Sequence, residues 1–143
     1  MKVLLPCSIG EATDRYLILL KKQEVATGAK REAISVEIAD LRDAIENALI
    51  GEVIKETDAI RRCDMACSIE NLMKDADVSA LDKINRKLWD LEDQIRLFYK
   101  SGFIHTKTAY AVCELNDERS RLKQSINSKF GTQYHEFKQY ANG

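Results

Sequence analysis

The chain has 143 residues, of which 45% are hydrophobic and 31% charged, with a formal net charge of −1. This length and composition allow a buried core and exclude an intrinsically disordered protein. The balanced charge lacks the positive excess of nucleic-acid-binding and membrane-surface proteins. No run of residues approaches the roughly 20 apolar residues of a membrane span. We therefore expect a cytoplasmic protein that binds neither nucleic acid nor a membrane.

The N-terminal part predicts a short extended segment followed by a helix over about residues 8–26. Ser8-Ile9-Gly10-Glu11 has the S-x-x-E pattern of a capping box, in which both polar side chains bond to free amides at a helix start. The apolar run at 16–20 surrounds nearly the whole helix. Such a helix belongs in the middle of a bundle, and Gly28 is expected to end it.

The next region predicts one long helix over about residues 30–62 and a shorter one over 66–75. A stripe of apolar residues runs from Ile34 to Cys63 without an intervening proline, and Gly51 is its weakest helical position. The length of this stripe makes the second helix a candidate surface for self-association.

The second half of the chain predicts an antiparallel hairpin of two helices, over about 79–100 and 106–129. Because only a short connection separates them, the two arms are expected to pack as neighbours. A last short helix is predicted over 133–140. The predicted fold is therefore all-α, a single-domain antiparallel bundle of four to five helices with a short extended N-terminal segment. The first arm carries its apolar seam at heptad-like spacing: Leu81, Ile84, Leu88, Leu91, Ile95 and Phe98.

One arginine interrupts the apolar stripe of the second arm. Arg119 lies opposite Leu88 in the predicted pairing, with Asn85 and Glu92 one turn away on either side. A charged group in an apolar seam needs a partner, because burial without one is costly. We expect Arg119 to reach Glu92, Asn85 or both. This polar cluster would either set the register of the hairpin or form the floor of a binding site.

The single tryptophan of the chain lies beside this polar edge. Trp89 follows the seam residue Leu88 and shares its helix face with Asn85, Glu92 and Arg96. It is expected either to pack against the first or second helix or to form part of a recognition surface. With its polar neighbours it defines a candidate binding cluster: Asn85, Trp89, Glu92, Asp93, Arg96, Asn116, Asp117 and Arg119.

Acidic pairs on both arms of the hairpin provide an enzymatic alternative. Asp90-x-x-Asp93 and Glu114-x-x-Asp117 are similar to the paired acidic residues with which helical nucleotide pyrophosphohydrolases hold Mg²⁺. The heptad pattern turns Asp93 away from the second arm, however, so the two pairs are not expected to face a common space. We therefore predict no metal site and no cofactor.

Two cysteines, Cys63 and Cys67, lie four residues apart and would share a helix face. A zinc site would need two further ligands, and nothing in the local spacing supplies them. Buried, unreactive thiols are the expected state of this pair.

Three stretches, residues 6–20, 88–96 and 115–127, resemble a family of small uncharacterised bacterial and phage proteins. That family is catalogued only as a domain of unknown function. The resemblance implies a helical fold and a bacterial or phage setting, and no catalytic residues carry over from it. It draws attention to polar positions inside the matching stretches, among them Ser8, Glu11 and Asp14.

The leading functional hypothesis is a non-enzymatic helical interaction or accessory protein. Its partner would be another protein or a second copy of the chain. The alternative is a small-ligand-binding protein or a Mg-dependent nucleotide-hydrolysing enzyme that uses the acidic and arginine cluster of the hairpin. A ligand site requires a concave pocket where polar side chains converge, whereas an interaction protein should expose an apolar patch.

Overall fold

The computed structural model describes residues 3–54 and 68–131, which form five α-helices and contain no strand. Residues 3–8 precede the first helix as a non-helical segment, most of which is exposed. The predicted all-α class, the helical bundle and the non-helical N-terminal segment are confirmed. In chain order the helices are α1 (Ile9–Val25), α2 (Gly28–Ile54), α3 (Ile69–Met73), α4 (Ala76–Lys100) and α5 (Thr106–Phe130).

The turn between α1 and α2 differs from the sequence prediction. α1 begins as predicted, with the Ser8 hydroxyl accepting the Glu11 amide at 3.1 Å, but it ends at Val25 with Ala26 as its C-cap. Gly28 does not close α1. It opens α2 with a φ of 58°, a left-handed conformation in which glycine avoids the steric cost of a Cβ atom.

α4 begins earlier than the sequence prediction, at Ala76 instead of Ser79. The reason is Asp75, whose carboxylate accepts the amides of Asp77 and Val78 at 2.9 and 3.3 Å. A carboxylate satisfies free amides and also interacts favourably with the positive end of the helix dipole. The aspartate therefore takes the N-cap position ahead of the serine.

Several sequence predictions fall wholly or partly outside the described residues. They are the end of the second helix near 62, the last helix over 133–140, and the state of Cys63 and Cys67. α3 occupies only part of the predicted 66–75. Cys7 and Cys113 have free thiols, and both are exposed.

α4 and α5 form the predicted antiparallel hairpin. The start of α4 lies beside the end of α5, where Ser125 donates to Asp77 at 2.5 Å and Lys129 lies 2.7 Å from the same carboxylate. Gly131 ends α5 with a left-handed φ of 67°. None of the described helices is long and apolar enough to cross a membrane.

The core occupies only one end of this hairpin, where α1 packs against α2, α4 and α5. Within the α4 seam, Leu81 and Leu88 are buried, whereas Leu91, Ile95 and Phe98 are only partly buried. The hairpin therefore extends beyond the core, and its far end lacks the cover that α1 provides elsewhere.

Candidate functional site

Arg119, the arginine that interrupts the hairpin stripe, forms a salt bridge with Asp14 of α1. Its Nε and Nη2 atoms donate to the two carboxylate oxygens at 3.0 and 2.5 Å. The Asp14 side chain is only 2% exposed. Its hydrogen bonds raise the pKa of Arg119, although partial burial works against the charged form. A bidentate, charge-assisted pair of this kind fixes orientation as well as distance, so it ties α1 to α5.

The predicted partner of Arg119 is wrong, because Arg119 binds neither Glu92 nor Asn85 on the facing arm of the hairpin. The anion comes instead from α1. Asn85 donates to the same Asp14 carboxylate at 2.9 Å, so Asn85 and Arg119 meet at Asp14 and not at each other. Glu92 acts on Arg119 only through its charge. The signal that points to Asp14 is its position on the face of α1 that carries Leu17, where a lone carboxylate requires a cation.

A concave pocket of about 280 Å³ opens beside this pair, between α1, α4 and α5. Five of the eight residues in the predicted cluster line it, because four of them follow one edge of α4 at helical spacing. Sequence reasoning missed the α1 side, where Ile18 and Lys22 follow Asp14 in steps of one turn. The lining residues are Ile18, Lys22, Asn85, Leu88, Trp89, Glu92, Arg96 and Arg119.

The remaining three residues of the predicted cluster lie outside the pocket. Asp93 is exposed and pairs with Arg96 on its own helix. The side-chain amide of Asn116 donates to the Val112 carbonyl at 3.1 Å, and Asp117 is half-buried elsewhere on α5. Within residues 3–54 and 68–131, no three His, Cys, Asp or Glu side chains lie close enough to hold a metal ion. The acidic pairs of the two arms therefore do not combine into one ligand set.

A second surface of interest is the far end of the hairpin, residues 97–110, called here the hairpin tip. It contains the last turn of α4, the connecting loop and the first turn of α5. Its large apolar side chains project into solvent because α1 does not extend over them. Those more than half exposed are Leu97 (64%), Tyr99 (80%), Phe103 (53%), Ile104 (84%) and Tyr110 (69%).

The backbone of the hairpin tip forms a Schellman motif. The Phe103 amide donates to the Phe98 carbonyl at 3.2 Å, and the Gly102 amide donates to the Tyr99 carbonyl at 3.1 Å. Gly102 has the left-handed φ, 84°, that this motif requires. The rings of Phe98 and Phe103 lie 5.3 Å apart, and this is the apolar contact that usually accompanies the motif. The exposed side chains are therefore displayed on a hydrogen-bonded frame.

The charges on the hairpin tip are all positive. Lys100 and Lys107 are its charged residues, both are exposed, and no acidic residue occurs between 97 and 110. Apolar and basic groups thus share one end of the molecule. A surface with this composition is complementary to an apolar surface bordered by carboxylates.

No family model, curated protein or solved structure matches this chain. Membership of the bacterial and phage family that the three stretches resemble accordingly stays a prediction.

Proposed function

We propose that this protein is a non-enzymatic helical interaction protein that binds another protein through the hairpin tip. The observation that carries the proposal is the set of five large apolar side chains exposed there by more than half. A large aromatic side chain presents about 150–250 Å² of surface, so the tip offers an apolar area on the order of 500 Å². Patches of this size on a monomer are often functional.

The fixed conformation of the hairpin tip favours the binding of a partner protein. The Schellman motif and the contact between Phe98 and Phe103 hold the loop in one conformation. A surface that is ordered before binding loses less conformational entropy when a partner arrives. The exposed side chains are therefore arranged as a recognition surface.

The charge of the tip indicates the chemistry of the partner. A second copy of the chain would bring two pairs of lysines, Lys100 and Lys107, together without intervening carboxylates. A different protein, with an apolar cleft bordered by Asp or Glu, would satisfy both the apolar and the charged groups. α2 is a weaker candidate for such contacts, because its residues Ile34, Ile45 and Leu49 are buried within the chain. In this proposal the protein acts in the cytoplasm and catalyses no reaction.

Site-specific photo-crosslinking in the native host tests the proposal. A photoreactive amino acid replaces Ile104 at the tip or, as a matched control, Val36 on α2, which is 63% exposed. We expect the probe at Ile104 to give a discrete adduct with another protein, and the probe at Val36 to give none. The crosslinked peptide of the partner should contain apolar residues beside Asp or Glu.

Purified partner then allows the energetic test. Phe103→Ser should weaken binding by about tenfold or more, as expected for an aromatic residue central to an interface. Charge reversal at Lys100 and Lys107 should slow association and reduce its salt dependence. The proposal fails if the adduct at Ile104 is a second copy of the chain, if only anionic lipid vesicles bind the tip, or if Ile104 and Val36 give the same products.

A further inference from the structure

The pocket between α1, α4 and α5 has no net charge. The three cations of its lining are matched by three carboxylates, one of which also lines the pocket, while the other two pair with the arginines. The cations are Lys22, Arg96 and Arg119, and the carboxylates are those of Glu92, Asp93 and Asp14. Neither an anion nor a cation finds an excess of opposite charge there. The pocket therefore suits an uncharged group.

The apolar part of the lining consists of Ile18, Leu88 and the indole of Trp89. Trp89 is partly exposed, so its ring is accessible to an incoming apolar group. The volume of about 280 Å³ lies just below the range of roughly 300–1,000 Å³ typical of drug-sized ligands. One large side chain of another protein is smaller than such a ligand, and interfaces gain much of their binding energy from anchor side chains that fill pockets.

One row of α4 side chains connects the pocket to the hairpin tip. Trp89, Glu92, Arg96 and Lys100 follow one another at intervals of three and four residues, which places them on one face of the helix. The last three of them are exposed. At about 1.5 Å per residue, Trp89 and Lys100 lie about 16 Å apart along the helix axis. A single partner protein can therefore contact the tip and the pocket together.

The apolar surface of the hairpin tip is smaller than a typical interface. Specific protein–protein interfaces bury about 800 Å² on each partner. The exposed apolar side chains of the tip supply on the order of 500 Å². A partner that binds the tip with ordinary stability therefore also covers surface next to it, on the α4 side or on the α5 side.

The charges next to the tip favour the α4 side. The first charged residue beyond the tip on α4 is Arg96, whose charge is balanced by Asp93 and Glu92. The first on α5 is Glu114, which is exposed and makes no ion pair with any residue in the described ranges. A partner with carboxylates around its apolar cleft is repelled by Glu114, whereas the neutral α4 row accepts it.

We infer that the partner of the hairpin tip extends along α4 and inserts one large apolar side chain into the pocket, against Trp89. This occupant rests on the proposed function, because it belongs to the protein that binds the tip. The tip supplies the charged and aromatic contacts of the interface, and the pocket supplies a concave site for an anchor residue. Together they form one surface along the α4 side of the hairpin.

Photo-crosslinking in the native host separates the pocket from the tip. A photoreactive amino acid replaces Lys22, an exposed residue of the pocket lining, or, as a matched control, Lys87, an exposed lysine two residues before Trp89 and so on the opposite face of α4. The probe at Lys22 should crosslink to the same protein as the probe at Ile104, and the probe at Lys87 should not. If Ile104 alone captures the partner, the inference is overturned and the proposed function stands. If Ile104 captures no partner, the proposed function fails and the inference with it.

The single tryptophan of the chain reports on the pocket directly, because its indole N–H gives one resonance in a ¹H–¹⁵N NMR spectrum. Unlabelled partner, identified by the crosslink at Ile104, should shift this resonance of the ¹⁵N-labelled protein. Trp89→Ala should weaken binding about tenfold, whereas Trp89→Phe keeps an aromatic wall and should retain most of the affinity. Circular dichroism confirms that both variants fold. An unshifted resonance at saturating partner, or unchanged affinity in Trp89→Ala, would overturn the inference.

Discussion

At the scale of single residues, the salt bridge between Asp14 and Arg119 determines how α1 sits against the hairpin. The carboxylate is almost fully buried and accepts hydrogen bonds from both Arg119 and Asn85. Burial of a charge is costly, so the pair stabilises the fold only while both partners are present. It also holds Arg119 in the pocket wall. One interaction thus serves the packing of three helices and the shape of the pocket.

Removal of one partner of the Asp14–Arg119 salt bridge should therefore lower the free energy of unfolding more than removal of both partners. Asp14→Asn leaves the guanidinium of Arg119 partly buried without a counter-ion, and we expect it to lower the free energy of unfolding by about 3 kcal/mol. The double variant Asp14→Leu, Arg119→Met should lose less stability than Asp14→Asn, because neither charged side chain remains in the buried site. Urea denaturation of the single and double variants measures the coupling. A loss below about 1 kcal/mol in Asp14→Asn would mean that the pair behaves as a surface salt bridge.

At the scale of elements, α1 and α5 approach closely at Gly10. A Cβ atom at this position would lie 2.4 Å from the Lys123 carbonyl oxygen and 2.7 Å from the side-chain oxygen of Asn127. The Gly10 amide donates to that same Asn127 oxygen at 2.6 Å, which satisfies a free amide in the first turn of α1. The close approach of α1 to α5 therefore requires a residue without a Cβ atom at position 10, and it is stabilised by the hydrogen bond from that residue's amide to Asn127.

Alanine substitutions at two helical glycines test this contact. Gly10→Ala should lower the free energy of unfolding by about 1–3 kcal/mol, since the methyl group meets backbone and α1 must move away from α5. Gly51→Ala is the control, because nothing lies within 4 Å of its Cβ position. This second change should raise stability by about 0.5–1 kcal/mol through higher helix propensity. Thermal unfolding of both variants measures these changes in stability. If Gly10→Ala stabilises the protein, α1 and α5 do not approach as closely as described here.

At the scale of the whole molecule, ion pairs between different helices tie the bundle together. Arg86 lowers the pKa of Glu24, and Lys129 lowers the pKa of Asp77. The pKa of Glu70 is lowered first by its own backbone amide and then by Arg42. Each carboxyl holds its proton less tightly in the folded chain than in the unfolded one. The pairs are Glu24–Arg86, Arg42–Glu70 and Asp77–Lys129.

These lowered pKa values predict loss of stability in acid. The contribution of each pair is complete above the unfolded pKa and disappears as the carboxyl is protonated, so stability should fall between about pH 5 and about pH 3. A triple variant should lose less stability over this pH range; its changes are Glu24→Gln, Glu70→Gln and Asp77→Asn. The control variant Glu32→Gln, at an exposed position on α2, should lose as much stability as the unchanged protein. Urea denaturation at a series of pH values gives the dependence of the free energy of unfolding on pH for each variant and for the unchanged protein. Parallel curves for the triple variant and the unchanged protein would contradict the prediction.

The helices themselves follow from local sequence. Apolar periodicity and glycine positions predict α1, α4 and α5 to within a few residues, because helix formation depends on neighbours one turn apart. The errors lie at boundaries where two local signals compete, as at the start of α4, where Asp75 caps the helix ahead of Ser79. The same periodicity places Asn85, Trp89, Glu92 and Arg96 on one edge of α4, where the structure has them.

Only the tertiary structure decides which helix packs against the polar edge of α4. Asp14 and Lys22 lie far from α4 along the chain, and sequence spacing carries no information on how α1 is rotated against a distant hairpin. The same holds for the hairpin tip. The heptad pattern continues to Phe98, but its residues beyond Leu88 are only partly buried because α1 covers only part of the hairpin. The sequence thus determines each helix and its faces, since these are local. The partner of Arg119, the pocket and the exposed tip depend on packing between segments remote in sequence.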